Sequence, residues 1–258
     1  MVLVAFFVFR GDNMKDIVSV FNDYVANFDL KEKAIALKQG HSIAVMDLMG
    51  ELAFRLELSI EDIKLARLIG LLHDIGRFPQ WEQYKTFEDA KSIDHADASA
   101  DYLFKEGHIR DFIDTDEYDS IIEKAIRNHN KYKIEDGLNE RELLFSKMIR
   151  DTDKIDIFKQ LAIKYDMKFN ANEVTTEVLE AIKNESMVTN TDAKTETDDT
   201  LRTLGFVFDI NFNESYDLLV STDNFDFFLS CVDVSEDSEK LWRKIKEICF
   251  DKINRGVE

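Results

Sequence analysis

One proline and nine glycines in 258 residues leave this chain few places to turn sharply, and that scarcity constrains its fold more than any other feature. Sandwiches and small barrels need turn signals at intervals of about 8–12 residues, so long helices joined by short polar connections are what remains. The apolar spacing agrees. Ile17, Val20, Phe21, Tyr24, Val25 and Phe28 recur at helical intervals, predicting an amphipathic helix over 16–28. A second helix is expected over about 31–58, with Ala34, Leu37, Ala44, Val45, Leu48, Leu52 and Leu56 on one stripe and His41 on that same inward stripe. Ser59-Ile60-Glu61-Asp62 reads as an N-cap followed by acids in the first turn, opening a third helix that ends near His73-Asp74, with Gly76 and Pro79 closing it.

Beyond that point, residues 78–92 read as a loop carrying Phe78, Trp81, Tyr84 and Phe87. Helices follow over about 94–106 with Asp94 as cap, 117–130 and 139–165. Residues 185–200 are polar and read as an exposed turn, and apolar helix resumes from Leu204 to Leu229. Leu241, Trp242, Ile245, Ile248 and Ile253 mark a last amphipathic helix. There is no internal repeat, sustained heptad or convincing β alternation, so the expected fold class is all-α, one domain over 15–258.

The formal charge of -19 disfavours nonspecific binding to nucleic-acid polymers or anionic membranes, because phosphate neutralisation needs clustered Lys and Arg. An anionic substrate must be attracted locally. Cys231 and Cys249 are too few for a disulfide framework or a thiolate metal site, which fits a reducing, cytoplasmic location. The opening MVLVAFFVFR is too short to span a bilayer and lacks the features of a signal peptide. Two readings of residues 1–14 stand: an apolar extension packing on the body, or sequence upstream of a true start at Met14. In the second, Arg10-Gly11 codons would carry a purine-rich bacterial ribosome-binding site.

Chemistry is concentrated in few residues. Of five histidines, four fall in order with two aspartates: His41, the adjacent pair His73-Asp74 at the end of the apolar run LIGLLHDIGRF, His95 in SIDHADAS, His129 in IRNHNKY and Asp153 in RDTDKID. Burying a carboxylate or an imidazole without a partner costs several kcal/mol, so His73 and Asp74 need an opposite charge, a hydrogen bond or a metal. Imidazole and carboxylate suit a divalent ion such as Mn, Fe, Co, Ni, Zn or Mg. Asp153 shares a helix face with Ile149 and Ile157; Asp151 aligns with Lys147 and Ile155 and is expected to be more exposed.

The order H…HD…D resembles the HD-domain superfamily of metal-dependent phosphohydrolases, over roughly residues 38–160. That resemblance implies an HD-type helical bundle with additional C-terminal helices over 166–258. It implies that His41, His73, Asp74 and Asp153 hold one divalent metal, with Asp74 bridging to a second held by His95 and His129, as in members with two-metal centres. It implies, too, a small anionic phosphoester as substrate, plausible classes including nucleotides, cleaved by water that the two ions activate. KTFEDAKSIDHA is similar to a subgroup of bacterial members. No GYP-type segment follows HDIGR and no acidic ED follows the HD, features of cyclic dinucleotide phosphodiesterases and guanosine-tetraphosphate hydrolases. Two alternatives stay open: a mixed-valent di-iron oxygenase of the same type, and a metal-containing sensor without catalysis.

Arg77 and Lys131 are the candidate catalytic contacts to substrate phosphate, and Lys154 is a further candidate that an ion pair would otherwise occupy. The aromatics of 78–92 read either as a lid that stacks on a base or as anchors of the loop. His108 has no motif partner and reads as a surface residue. Oligomeric state is not legible in the sequence.

Overall fold

The computed structural model describes residues 16–257, and both readings of residues 1–14 lie outside them. The fold is all-α. Its helices are α1 (Ile17–Val25), α2 (Lys33–Arg55), α3 (Ile60–Leu72), α4 (Arg77–Tyr84), α5 (His95–Ala100, continued by a π turn, Asp101–Lys105) and α6 (Ile109–Phe112). They continue with α7 (Asp119–Asn128), α8 (Glu140–Lys164), α9 (Thr176–Lys183), α10 (Glu196–Leu204), α11 (Asn213–Ser221), α12 (Asn224–Ser230) and α13 (Glu239–Val257). The β structure among the described residues is one short parallel pair, β1 (Lys168–Phe169) with β2 (Asp233–Val234), in the register Lys168 to Asp233.

Helices α2, α3, α7 and α8 pack on one another around the core. Gly70 sets how close α2 and α3 come: a Cβ there would stand 2.8 Å from both the Met46 Cα and the Val45 carbonyl oxygen. No larger residue fits without separating the two helices. Ser59 caps α3 by accepting from the Asp62 N–H at 3.1 Å. Asn139 and Glu142 form a reciprocal capping box at the start of α8.

Of the expected loop over 78–92, residues 78–84 are helical, and 85–92 are loop with one 3-10 turn (Asp89–Lys91). After a turn at Asp74–Gly76 the chain enters α4, with Pro79 in the first turn, where its missing N–H is no loss. Phe78 is fully buried and meets Phe21 edge-on at 5.8 Å, so it anchors α4 rather than covering a site. Trp81 is anchored as well, its indole N–H donating to Glu32 Oε2 at 2.6 Å. Gly76, expected to close a helix, marks a close approach: a Cβ would lie 2.6 Å from the Ser99 nitrogen.

Asp151, expected to be exposed, is fully buried and accepts hydrogen bonds from the Asn211 and Phe212 backbone N–H groups. Helix α8 is covered on both sides between Met148 and Phe158, because α12 and the chain before α11 pack on the face opposite α2. There Phe158 meets Phe225 edge-on at 5.2 Å, and Asn224 donates to the Ile155 carbonyl. The stretch 185–200 also departs from expectation. Thr197, Asp198 and Thr200 are buried, with Asp198 accepting from the N–H groups of Thr175 and Lys194 and Thr200 donating to the Lys168 carbonyl. These polar side chains satisfy backbone groups of distant segments, which local polarity does not reveal. The apolar run 204–229 is divided into a 3-10 turn (Gly205–Asp209), α11 and α12.

Candidate metal centre

The six residues of the H…HD…H…H…D set come from five elements and meet at one point. His41 lies mid-way along α2, and the Gly70 contact brings α3 against it, so that His73, at the C-cap of α3, stands with its ring centre 5.2 Å from that of His41. Asp74 follows in the turn, where the helix has ended and adjacent residues can both face inward. His95 is the first residue of α5, held there by Asp94, whose side chain accepts from the N–H groups of Ala96 and Asp97. His129 sits at the C-cap of α7, and Asp153 on the face of α8 toward α2.

Asp74 faces two sets of ligand atoms with its two oxygens. Its Oδ2 lies 3.6 Å from both His41 Nε2 and His73 Nε2, and Asp153 Oδ1 stands 3.1 and 3.6 Å from those same nitrogens. Its Oδ1 lies 3.5 Å from His95 Nε2 and 3.6 Å from His129 Nε2. All four imidazoles turn Nε2 inward, because each Nδ1 is engaged elsewhere. His73 and His129 place Nδ1 2.8 and 2.7 Å from the carbonyl oxygens of Gly70 and Ile126, which can only accept. His41 and His95 place Nδ1 2.6 Å from the carboxylates of Asp156 and Asp89. Nδ1 therefore donates in each ring, and Nε2 is the atom presented to the centre.

Residues 39–162 match the family model described as HD domain. The chain carries an HD domain. No curated protein and no solved structure matches the chain. Every one of the six residues falls inside the HD segment, and HD domains bind divalent metals and are mostly metal-dependent hydrolases.

The donor set of this HD domain fits a metal on physical grounds. His41 Nε2, His73 Nε2 and Asp74 Oδ1 are buried with no hydrogen-bond partner. His95 Nε2 accepts from Arg77 Nη2 at 3.2 Å and stands 3.0 Å from His129 Nε2. Leaving the first three atoms unsatisfied costs roughly 1–3 kcal/mol each, whereas nitrogen ligands about 2.1 Å from one ion and at right angles to each other stand about 3 Å apart. The groups His41–His73–Asp74 and Asp74–His95–His129 each converge closely enough to share an ion.

Protonation states favour ligation at His73, His95, Asp74 and Asp153. Burial, reinforced by Arg77, holds His95 at about 4, and burial also keeps His73 below its ordinary value, so both are neutral at pH 7. Burial opposes ionisation of Asp74, but Lys38, His73, His129 and Arg77 outweigh it and hold the carboxyl well below the usual range. Asp153 is similar: burial acts against its charge, and His41 and His73 prevail. At His41 burial and Lys38 act downward, but Asp153 and Asp156 raise its pKa overall.

Three neighbours escape a reading from motif spacing. Asp156 and Asp89 orient His41 and His95, and Lys38 Nζ lies 2.6 Å from Asp74 Oδ2. Lys38 and Asp156 are each three residues from a ligand on the same helix, one turn apart, which was the available signal. Asp89 carried none. Asp156→Asn is expected to lower metal affinity about 10–100-fold with the helical content unchanged, because it frees the His41 ring to rotate and change tautomer. Metal titration followed by circular dichroism reads both, and unaltered affinity would remove Asp156 from the site.

Of the cationic candidates, Arg77 stands at the centre. Its guanidinium spans Asp89 Oδ1 at 3.0 Å and the Phe87 carbonyl at 2.7 Å, with Nε 3.5 Å from Asp74 Oδ1. Lys131 instead pairs with Asp94 at 2.6 Å and Asp97 at 3.3 Å, tying the chain after His129 to the cap of α5. Lys154 is buried on the far side of α8 against Asp209 at 2.8 Å. His108 is half-exposed, stacked on Tyr102 and paired with Asp111.

Proposed function

We propose that the protein is a phosphohydrolase with a dinuclear metal centre that cleaves a small phosphoester, a nucleotide being the favoured class. One observation carries this reading: the two oxygens of Asp74 face two separate sets of inward Nε2 atoms. His41, His73 and Asp153 would hold one ion, His95 and His129 the other, and Asp74 would be common to both. When bound, such ions polarise phosphoryl oxygens and lower the pKa of a water to near neutrality, so that no protein nucleophile is needed. The chain keeps His73 and His95 neutral and fixes all four imidazoles in direction, and Arg77 is braced against Asp74, Asp89 and the Phe87 carbonyl so that a guanidinium stands beside the reacting centre.

A small substrate fits the charge of this protein. With a net charge of -19, a nucleic-acid polymer or an anionic membrane would be repelled over a wide surface, whereas a small anion meets only the local field. No helix among the described residues is long and apolar enough to cross a membrane.

The test is a panel of phosphomonoesters and phosphodiesters assayed with Mn, Fe, Co or Mg, with oxygen uptake recorded alongside. Metal-dependent release of phosphate or of a phosphomonoester without oxygen consumption is expected. Oxygen-dependent turnover with iron would replace the hydrolase by an oxygenase, and a metal-loaded protein inert to the whole panel would favour a sensor.

A further inference from the structure

Three cations gather on one aromatic ring beside the metal ligands. Lys164 Nζ lies 5.1 Å from the ring centre of Phe87, Arg77 Cζ 5.6 Å and Lys38 Nζ 5.7 Å. They converge from three elements: the last residue of α8, the first residue of α4 and the first third of α2. Phe87 is fixed for this role, its carbonyl accepting from Arg77 Nη1 and its ring packed on Trp81.

Holding cations on a ring differs in consequence from holding them on carboxylates. The ring quadrupole attracts an ammonium by about 0.5–1 kcal/mol at an exposed site and leaves its charge uncancelled. Two of the three cations are nonetheless neutralised. Arg77 is paired with Asp74 and Asp89, and Lys38, 18% exposed, is paired with Asp74. Lys164 is exposed, is in contact with Phe87 and with the Tyr165 ring at 4.6 Å, and has no carboxylate partner among the described residues. A free positive charge is thus held at the outer edge of a cluster whose inner edge is Asp74 itself.

We propose that Lys164, with Phe87 and Lys38, forms a subsite for a second anionic group of the substrate, so that the preferred substrates are phosphoesters bearing a further phosphate or carboxylate besides the one at the metal centre. The inference rests on the phosphohydrolase reading of that centre. Lys164 would recruit the outer group, and Lys38 would lie between it and the ion-binding carboxylate. In a chain of net charge -19, this cluster supplies the local attraction that an anion with two charged groups needs.

The experiment compares fructose bisphosphate with fructose monophosphate as probes of the metal-loaded full chain. Binding is measured by calorimetric titration, and released phosphate is assayed in the same samples. In the wild type the bisphosphate should bind more tightly. Lys164→Gln should weaken bisphosphate binding about tenfold, the cost of one lost charge-assisted contact, while monophosphate affinity and metal content stay as in the wild type. Lys164→Arg should restore it, and Phe87→Leu should weaken it in the same direction as Lys164→Gln. Equal affinity of wild type and Lys164→Gln for the bisphosphate overturns the subsite, and so does a wild type that does not distinguish the two probes. If the Lys164 dependence is seen while the whole phosphoester panel goes uncleaved, the subsite stands and the hydrolase reading falls.

Discussion

Asp74→Ala is expected to abolish stoichiometric metal binding at both positions and to lower phosphoester cleavage by a factor on the order of 10³ or more. Its two oxygens face the two pairs of histidines, so its loss removes a ligand from each. Losing Asp156 or Asp89 disturbs one imidazole only. The loss also takes from Lys38 the carboxylate it pairs with and leaves Arg77 to Asp89 alone, and the uncancelled charge of Lys38 opposes a divalent ion further. Metal analysis of the purified variant reads the first effect. Thermal unfolding with and without chelator reads the same loss independently: binding to the folded state stabilises it, so chelation should lower the Tm of the wild type and not that of the variant. A variant that keeps two ions per chain would end the bridging role.

Asp209→Ala is expected to destabilise the protein by about 3 kcal/mol and to weaken ion binding at His95 and His129 before it affects His41 and His73. Asp209 lies outside the HD match, in the 3-10 turn after α10, and reaches α8 to pair with Arg150 at 2.7 Å and Lys154 at 2.8 Å. Both cations are buried. Burial, together with Arg150, already pulls Lys154 below its ordinary pKa against Asp209 and Asp151, and burial raises Asp151 in spite of Lys154 and Asn211. Removing Asp209 would leave the two cations side by side with only Asp151 to offset them. Arg150 donates to the carbonyl oxygens of Asn128, Lys131 and Tyr132, the residues around His129, so a displaced guanidinium loosens the turn that presents that ligand. Urea unfolding and metal titration measure the two effects. A stability within about 0.5 kcal/mol of the wild type would show that Arg150 and Lys154 do not depend on Asp209.

The all-α class was legible in the sequence because it follows from local quantities: few turn formers, apolar residues at helical spacing, and caps such as Ser59 and Asp94 that the structure retains. Positions of α2, α3, α7 and α8 follow to within a few residues for the same reason. The expected loop at 78–92 holds for 85–92 and failed for 78–84, because proline and glycine were read as terminators, whereas Pro79 opens α4 and Gly76 allows the turn to touch α5. Asp151 and the stretch 185–200 failed for another reason. Polarity was taken to mean solvent, and these side chains instead satisfy backbone groups of residues far along the chain.

By itself, the sequence determined the helical class, the segment that matches an HD domain, and the identity and order of the four histidines and two aspartates. Chain order carries that information because side-chain type limits what can be ligated, and an isolated histidine supply of five leaves few alternatives. Only the tertiary structure decided that the six converge, that every Nε2 points inward, that Asp156 and Asp89 hold two of the rings, that Lys131 turns to Asp94, and that Lys38 and Lys164 gather on Phe87. Those facts depend on the direction of a side chain and on the approach of segments up to 115 residues apart, as for His41 and Asp156, and no local spacing encodes them.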